Sequence, residues 1–429
     1  RPKSTTTAYR YMTRFRCIGS ECESSCCTAG WSIFIDRASY QKTERAMAGD
    51  PETRREFDAK LKRVKDVTSS NAKYALTVLD EHGSCALLRP DGLCSLQTRY
   101  GEEVLSDTCA IYPRSVAISG QRLELTGMTS CPEVARQLLL HPDAMERVEV
   151  SRELIGRHVV HTRLGERPDK PYLRYHEELR SLMLQLLSDA AYPLSVRLSF
   201  MAYFAHRTVP LLQRDARSLD DRRLLAEVER IQNAAFRADL HREFAALAVD
   251  PVVSAQLVLG LLAARARVAG FQQFAGEVLA EYLGKPCPEE LEGEAARARA
   301  RELLAAYLRR KSEWSSASAR IDGYFTNYAK NYWAREWYMH SPNLLAHAVQ
   351  LLLRVAAMRF LLLGRAGPAA IAEADEDARV QALDRAVVRT VQQFSRAFEH
   401  DPSFAGHLQG QLSSSGVISL AHAACLAAF

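Results

Sequence analysis

The chain has 429 residues, 47% of them hydrophobic, which is enough for one large core or two packed domains. Its 56 basic and 51 acidic side chains give a net charge of +5, which is too small to indicate a nucleic-acid-binding protein. We therefore expect no nucleic-acid partner. The first 20 residues are basic and contain no acid, so this arm could associate peripherally with a membrane surface, although a solvated arm is the simpler interpretation.

Cysteine is strongly clustered in this sequence. Eight of the ten cysteines lie between Phe15 and Pro132, whereas Cys287 and Cys425 stand apart. A disulfide framework is typical of short secreted domains, but this chain is long, and no apolar segment before its first cysteine suggests a signal peptide. In a reducing cytoplasm, where we expect the protein to work, such clustering indicates metal ligands rather than disulfides or inert thiols. The predicted ligands are Cys17, Cys22, Cys26, Cys27, Cys85, Cys94, Cys109 and Cys131.

The cysteine spacing leaves the metal open between zinc and an iron–sulfur cluster. Zinc sites usually pair their cysteines closely in two sets, and here only the stretch from Cys17 to Cys27 is closely spaced. The adjacent side chains of Cys26 and Cys27 diverge and rarely reach one ion together. A cluster accepts ligands from several sides and tolerates irregular spacing. The pattern therefore slightly favours iron–sulfur, with zinc as the alternative metal.

The cysteine-rich region contains loops and short elements. Residues 116–125 form two short extended stretches around Gly120, which predicts a β-hairpin whose turn uses the positive φ that glycine adopts readily. Residues 31–35 predict a brief strand, and residues 36–65 predict a charged helix. Such a region buries little apolar surface, so a cross-linking metal would add stability that the local core lacks.

The remainder of the chain has the periodicity of helices. Apolar residues recur every three or four positions along Val380–Phe398, which predicts an amphipathic helix. The most apolar window, Leu344–Leu363, is long enough to span a membrane, but it contains His347, Arg354 and Arg359, which are costly in lipid. We therefore predict a buried helix and no transmembrane segment. Further helices are predicted at residues 175–188, 193–207, 224–235, 252–268 and 289–308.

These patterns predict a mainly α fold. We expect an α-helical domain at residues 136–429 and an irregular, loop-rich metal-binding region with a short β-hairpin at residues 1–135. No glycine-rich phosphate loop follows a predicted strand, so the sequence does not support a Rossmann-type nucleotide site.

The cysteine-rich motifs resemble those of a known family. One motif, F-R-C-I-G-S-E-C-E-S-S-C-C-T-A-G-W, begins at Phe15, and another, C-S-L-Q-T-R-Y-G-E-E-V-L-S-D-T-C-A-I-Y-P-R, begins at Cys94. Together with N-Y-A-K-N-Y-W, which begins at Asn327, these motifs are similar to the flagellin lysine-N-methylase family. The cysteine pattern also resembles small zinc- or iron-chelating modules of unassigned activity.

The resemblance implies an enzyme that uses S-adenosylmethionine to methylate lysine ε-amino groups of flagellin. It also implies that the cysteines hold a [4Fe-4S] cluster. If three cysteines ligate this cluster, its fourth iron could chelate the amino and carboxylate groups of S-adenosylmethionine. Two other functions stay open: a metal-binding adaptor whose helical body docks a partner, and an electron-transfer or redox-sensing protein.

Four further residues are candidates for catalysis or cofactor binding. Arg114 ends a Tyr-Pro-Arg turn after Cys109, where its guanidinium could pair with the carboxylate of S-adenosylmethionine. Tyr112 begins the same turn. Tyr332 and Trp333 belong to a dense aromatic group at residues 324–338. This group could line a lysine channel through cation–π contacts, or it could pack a helix against the body.

Overall fold

The structure is a computed structural model, and it divides into two compact units. The first unit comprises residues 1–137 and 146–164, and the second comprises residues 138–145 and 165–429. The segment 146–164, which the sequence interpretation placed in the helical domain, clusters with the cysteine-rich region. The structure describes residues 5–66, 69–157, 159–165, 170–265, 268, 270–286, 293–367, 375–400, 410, 416 and 418–429.

The first unit is built on two small sheets. The larger sheet has the strand order β7-β1-β6-β5-β8, and the smaller has the order β2-β4-β3. The helices of this unit are short: α1 is Arg10–Arg14, α2 Arg37–Ala46, α3 Pro51–Lys60, α4 Ser95–Tyr100 and α5 Asp107–Ile111, and α6 (Pro132–Leu139) begins here. The strands are β1 Thr6–Tyr9, β2 Phe34–Ile35, β3 Leu61–Arg63, β4 Ala75–Thr77, β5 Arg114–Ser119, β6 Arg122–Gly127, β7 Arg147–Glu149 and β8 Thr162–Leu164.

The predicted hairpin is the centre of the larger sheet. Strands β5 and β6 pair antiparallel, with Ser119 opposite Arg122, and Gly120 in the turn has a φ of +58°. Strand β1 then pairs parallel with β6, and β8 pairs parallel with β5. These two partners come from distant parts of the chain, so the local sequence pattern predicted the hairpin but not the sheet.

The helix predicted at residues 36–65 is wrong in its extent. Asp36 caps α2 by accepting a hydrogen bond from the Ser39 backbone, but this helix ends at Ala46. A second helix, α3, starts after Asp50, which caps it, with Pro51 at its first position. Residues 61–63 then form β3. The Leu61 side chain is buried in the core between the smaller sheet and these helices. The Gly-Asp-Pro sequence that separates the helices favours a helix start rather than a continuous helix.

The second unit is a stack of helices. Several begin at a side-chain cap: Asp220, Asp250, Asn343 and Ser419 each accept a hydrogen bond from a backbone N–H of the first turn. The helices are α7 His176–Ser188, α8 Leu194–Thr208, α9 Asp221–Gln232, α10 Ala234–Ala246, α11 Pro251–Ala263, α12 Phe271–Leu283, α13 Gly293–Glu313, α14 Ser318–Arg335, α15 Leu344–Arg365, α16 Glu376–Phe398 and α17 Leu420–Ala428. The mainly α prediction is confirmed.

Helix α15 is the core of the second unit. It packs against α8, α11, α12, α16 and α17. At Gly364 the approach of α12 is so close that a Cβ atom would lie 2.6 Å from both Val278 and Tyr282. By length and composition α15 could cross a membrane, but 83% of its most apolar window is buried inside the protein. The burial of α15 agrees with the sequence-based prediction of a core helix.

Candidate metal centre and cofactor site

Tight turns position three of the first four cysteines, Cys22, Cys26 and Cys27. Cys22 follows a 3-10 turn at Gly19–Glu21, and a second 3-10 turn, Cys26–Thr28, contains the adjacent pair. Ser25 starts this second turn by accepting a hydrogen bond of 3.2 Å from the Cys27 N–H. A serine at the start of a turn satisfies a backbone donor that would otherwise lack a partner.

A backbone hydrogen bond joins this segment to the later cysteines. The Cys85 N–H donates to the carbonyl oxygen of Cys27 at 2.8 Å. Cys94 immediately precedes α4, and Cys109 lies in α5, where Ser106 accepts from its N–H at 3.2 Å. Cys131 immediately precedes α6. Cys94, Cys109 and Cys131 are therefore each positioned by the start or first turn of a short helix.

Charges at neighbouring thiols raise the pKa values of Cys27, Cys85 and Cys109. We call these three residues, together with Cys26 and Cys94, whose charges act on them, the five-thiol group. A hydrogen bond with Cys26, followed by burial, raises the pKa of the Cys27 thiol. Burial raises the pKa of Cys85, and charges at Cys94 and Cys26 raise it further. Surrounding protein atoms raise the pKa of the Cys109 thiol to about 12, although the residue as a whole is exposed.

Cys17, Cys22 and Cys131 form a second, three-thiol group. Burial raises the pKa of Cys131 to about 12, and charges at Cys22 and Cys17 add to the effect. Burial also raises the pKa of Cys22, with contributions from Cys17 and Cys26. Cys22 therefore lies near members of both groups.

The chemistry of these donors fits a thiolate-bound metal. The cysteines within the described residues are all free thiols, which leaves them available as ligands. Neighbouring thiols that raise one another's pKa ionise together only when a cation offsets their charge. Within the same residues, no three His, Cys, Asp or Glu side chains are already arranged around a single metal ion. Cys287 lies outside the described residues.

The Tyr-Pro-Arg turn lies beside these cysteines. Its Tyr112–Pro113 peptide bond is cis. The Tyr112 ring makes an edge contact with Trp31, with ring centres 5.8 Å apart, and its hydroxyl lies 3.0 Å from Oγ of Ser130. Trp31 and Ser130 both border cysteine segments, and the sequence motif alone gave no reason to pair either of them with Tyr112.

Arg114 opens β5 and carries a guanidinium with unused hydrogen-bonding capacity. Its Cζ atom lies 5.5 Å from the centre of the Phe15 ring. Its Nε atom is buried, with no hydrogen-bond partner among the described residues. Burial lowers the pKa of Arg114, whereas charges at Glu102 and Cys17 raise it. The structure therefore brings Arg114 together with Cys17 of the three-thiol group.

Tyr332 and Trp333 belong to the second unit, where they are core residues. Trp333 is 1% exposed, and its ring centre lies 4.6 Å from that of His347. The Tyr332 ring also contacts His347, at 4.8 Å. In this conformation the aromatic residues pack their helix against the body, which is one of the two predicted alternatives. The catalytic assignment of Tyr332 and Trp333 stays a prediction. The buried aromatic residues of this group are Tyr324, Phe325, Tyr328, Tyr332, Trp333, Trp337 and Tyr338.

Sequence analysis missed a buried ionic network in the second unit. Glu399 accepts hydrogen bonds from Arg335 at 2.5 Å and from the Tyr328 hydroxyl at 2.9 Å, and Arg354 lies 3.6 Å away. Burial alone would raise the pKa of Glu399, but the two arginines lower it to about 2. Its charged partners Arg335 and Arg354 are 45 or more positions away in sequence, so no local pattern reveals the ionic network.

Comparisons with known proteins add a family relationship to this geometry. Residues 180–426 match the family model described as the FliB lysine N-methylase C-terminal domain. The chain is 30% identical over 149 residues to a lysine-N-methylase of Salmonella typhimurium, which covers 33% of this chain and 34% of that relative. It is 30% identical over 156 residues to the flagellar biosynthetic protein FliU of Salmonella muenchen, which covers 36% of this chain and 89% of that relative.

A second lysine-N-methylase, from Salmonella choleraesuis, is 30% identical over 141 residues. The chain therefore spans about a third of the length of the lysine-N-methylases that it matches. No solved structure matches the chain.

Proposed function

The chain belongs to the FliB lysine N-methylase family, and on this premise we propose that it is a protein-lysine N-methyltransferase that methylates flagellin. The family match over residues 180–426 is the observation that carries the proposal. The flagellar name of one relative and the methylase name of two others support flagellin as the substrate class. The methyl donor in this proposal is S-adenosylmethionine, the usual biological source of an activated methyl group.

The chemistry requires a neutral amine. A lysine ε-amino group has an ordinary pKa near 10.4, so at neutral pH it must lose a proton before its nitrogen bonds to a methyl carbon. An apolar surrounding lowers the pKa of an amine by disfavouring its charged form. We propose that the enzyme surrounds the substrate amine with apolar and aromatic side chains while it is bound. The degree of methylation then depends on whether the methylated amine still fits.

We also propose a [4Fe-4S] cluster, held by members of the five-thiol group. Charges at neighbouring thiols raise the pKa values of Cys27, Cys85 and Cys109, which supports this choice, because a bound cationic cluster would relieve the repulsion between thiolates. When bound, the cluster would supply an iron site able to chelate the amino and carboxylate groups of S-adenosylmethionine. Zinc is the alternative metal for the same ligands.

We propose that Arg114 binds the carboxylate of S-adenosylmethionine. Its buried Nε lacks a partner among the described residues, and buried polar groups in native proteins are nearly always hydrogen-bonded. A planar guanidinium can pair with a carboxylate through two parallel hydrogen bonds. Arg114 would thus orient the donor, with Phe15 against its guanidinium. Clustered cysteines in a long chain are typical of metal ligands in a reducing compartment, so we propose that the enzyme works in the cytoplasm.

Metal and sulfide analysis after strictly anaerobic purification tests the cofactor part of this proposal. We expect iron and acid-labile sulfide in equal amounts, with broad absorbance near 400 nm that bleaches on exposure to air. A colourless protein with stoichiometric zinc and no sulfide would contradict the cluster. If that zinc protein also failed to methylate flagellin, a metal-stabilised adaptor would be the better description.

A further inference from the structure

A cavity of about 390 Å³ lies on one face of the larger sheet of the first unit. Its floor follows from strand register: Ile118 of β5 lies opposite Leu123 of β6 on one side and opposite Arg163 of β8 on the other. Residues paired in this way point to the same face of a sheet. Ile155, which ends a 3-10 turn, and Val160 line the cavity as well. The cavity therefore has an apolar interior built from three stretches of chain, residues 116–123, 152–155 and 159–163.

The rim of this cavity is basic. Arg152 and Arg163 are both exposed, and both line it. Among the described residues, those that line the cavity include no Asp or Glu. An apolar interior with the guanidinium group of Arg163 beside it complements a ligand that carries an apolar group next to a carboxylate. The volume falls within the range of about 300–1,000 Å³ typical of ligand sites.

The cavity also adjoins an open sheet edge. Strand β8 is the last strand on its side of the sheet, so no described strand pairs with its outer edge. An exposed strand edge presents backbone donors and acceptors that an extended segment of another chain can pair with. Arg163 lies on this edge strand and also lines the cavity. A segment bound along β8 would therefore have Arg163 directly beside it.

We propose that β8 and this cavity form a docking site for an extended acidic segment of the protein substrate. The segment pairs with the outer edge of β8, inserts an apolar side chain towards Ile118 and places a carboxylate at Arg163. The inference rests on the proposed function, because it takes the substrate to be a protein. It adds a recognition surface made of residues that belong neither to the thiol groups nor to the Tyr-Pro-Arg turn.

The test is the rate of methyl transfer from S-adenosylmethionine to flagellin monomers, measured over a range of flagellin concentrations with Arg163→Glu. Reversing this charge should raise the KM for flagellin roughly tenfold and leave kcat within about twofold, since a lost charge-assisted contact acts on binding. Arg222→Glu reverses an exposed arginine of α9 and should leave both constants unchanged. Added salt should raise the KM of the wild-type enzyme more than that of Arg163→Glu.

Each result decides the question. An unchanged KM in Arg163→Glu, or a fall in kcat at constant KM, overturns the docking site while the proposed function stands. A wild-type enzyme that does not methylate flagellin overturns the proposed function itself. If Arg163→Glu does not fold, Arg163→Gln replaces it and is judged in the same way. Dodecanoate serves as a probe for a different occupant, a small apolar acid. If Arg163→Glu abolishes binding of dodecanoate but leaves the KM for flagellin unchanged, that acid is the occupant and the proposal is wrong.

Discussion

The Tyr112 hydroxyl lies 3.0 Å from Oγ of Ser130, and this contact joins two cysteine-bearing segments of the first unit. Tyr112 follows the helix that contains Cys109, and Ser130 immediately precedes Cys131. Ser130 is fully buried, whereas Tyr112 is half-buried. It fixes the Cys109 helix relative to a member of the three-thiol group, which gives the Tyr-Pro-Arg turn a role in positioning thiols.

We expect Tyr112→Phe to loosen the metal without removing a ligand. The variant loses one hydrogen bond, which lowers the free energy of unfolding of the first unit by about 1 kcal/mol. The measurement is the rate at which an iron chelator bleaches the anaerobic protein, and it should rise several-fold. Tyr175→Phe, in the second unit, is the matched control and should leave this rate unchanged. Equal bleaching rates in wild type and Tyr112→Phe would show that the contact does not support the metal centre.

Arg114→Lys separates a cofactor-binding role from a structural role. Lysine keeps the positive charge but lacks the planar pair of donors, so donor affinity or methyl transfer should fall roughly tenfold or more, as expected for a lost charged hydrogen bond of about 1.5–3 kcal/mol. The measurement combines the visible spectrum, which should stay that of the wild type, with binding of S-adenosylmethionine. Arg89→Lys alters a surface ion pair with Asp91 and should affect neither. Wild-type binding in Arg114→Lys would contradict the role.

Replacing Cys26 and Cys27 together with Ser should abolish metal binding. Both belong to the five-thiol group, and the carbonyl of Cys27 accepts the backbone hydrogen bond from Cys85. Without metal the first unit should become sensitive to protease, whereas the helical unit should persist as a resistant fragment, because its own core stabilises it. The control replaces Cys287 and Cys425, which lie outside the motif, and should keep its metal. Full metal content in the double variant would place the ligands elsewhere.

Acid should destabilise the second unit through Glu399. Its pKa in the folded protein is about 2, below its ordinary value of 4.5, so it contributes stability above pH 4.5 that is lost as the pH falls towards 2. A shift of this size corresponds to about 3 kcal/mol. The measurement is the free energy of unfolding between pH 7 and pH 2, for wild type and Glu399→Gln.

Glu399→Gln should be less stable at pH 7 by about 3–5 kcal/mol, because two buried arginines lose their shared carboxylate, and its stability should fall less below pH 4.5. Both proteins should still lose stability as the pH falls below about 6.5. Burial lowers the pKa of His347 to about 3, so below pH 6.5 only the unfolded protein binds a proton at this histidine. Glu313→Gln, at an exposed pair with Arg310, is the control and should follow the wild type. Identical acid profiles for Glu399→Gln and wild type would contradict the assignment.

Local periodicity predicted much of the fold. The apolar stripe from Val380 to Phe398 forms α16, which buries one continuous face. The apolar window from Leu344 forms α15, which buries nearly its whole surface. The hairpin at β5 and β6 was equally visible from its turn glycine. The five-stranded sheet was not, since β1 and β8 reach it from opposite ends of the first unit.

The candidate site was predicted only in its composition. The sequence named the thiols and Arg114, but not that the thiols separate into two groups or that Phe15 contacts the Arg114 guanidinium. The same limit applies to Glu399, whose environment depends on helices far apart in the chain. Pairing across such distances is set by tertiary packing, for which a single sequence carries no local signal.

The most direct test of the central claim is methyl transfer to flagellin by the anaerobically purified enzyme. The chain would be incubated with isotopically labelled S-adenosylmethionine and flagellin monomers, and the flagellin then mapped by mass spectrometry. The account predicts labelled methyl groups on lysine side chains, with none when the enzyme carries Ser at positions 26 and 27. Unmodified flagellin lysines, in the presence of wild-type enzyme with full iron and sulfide content, would contradict it.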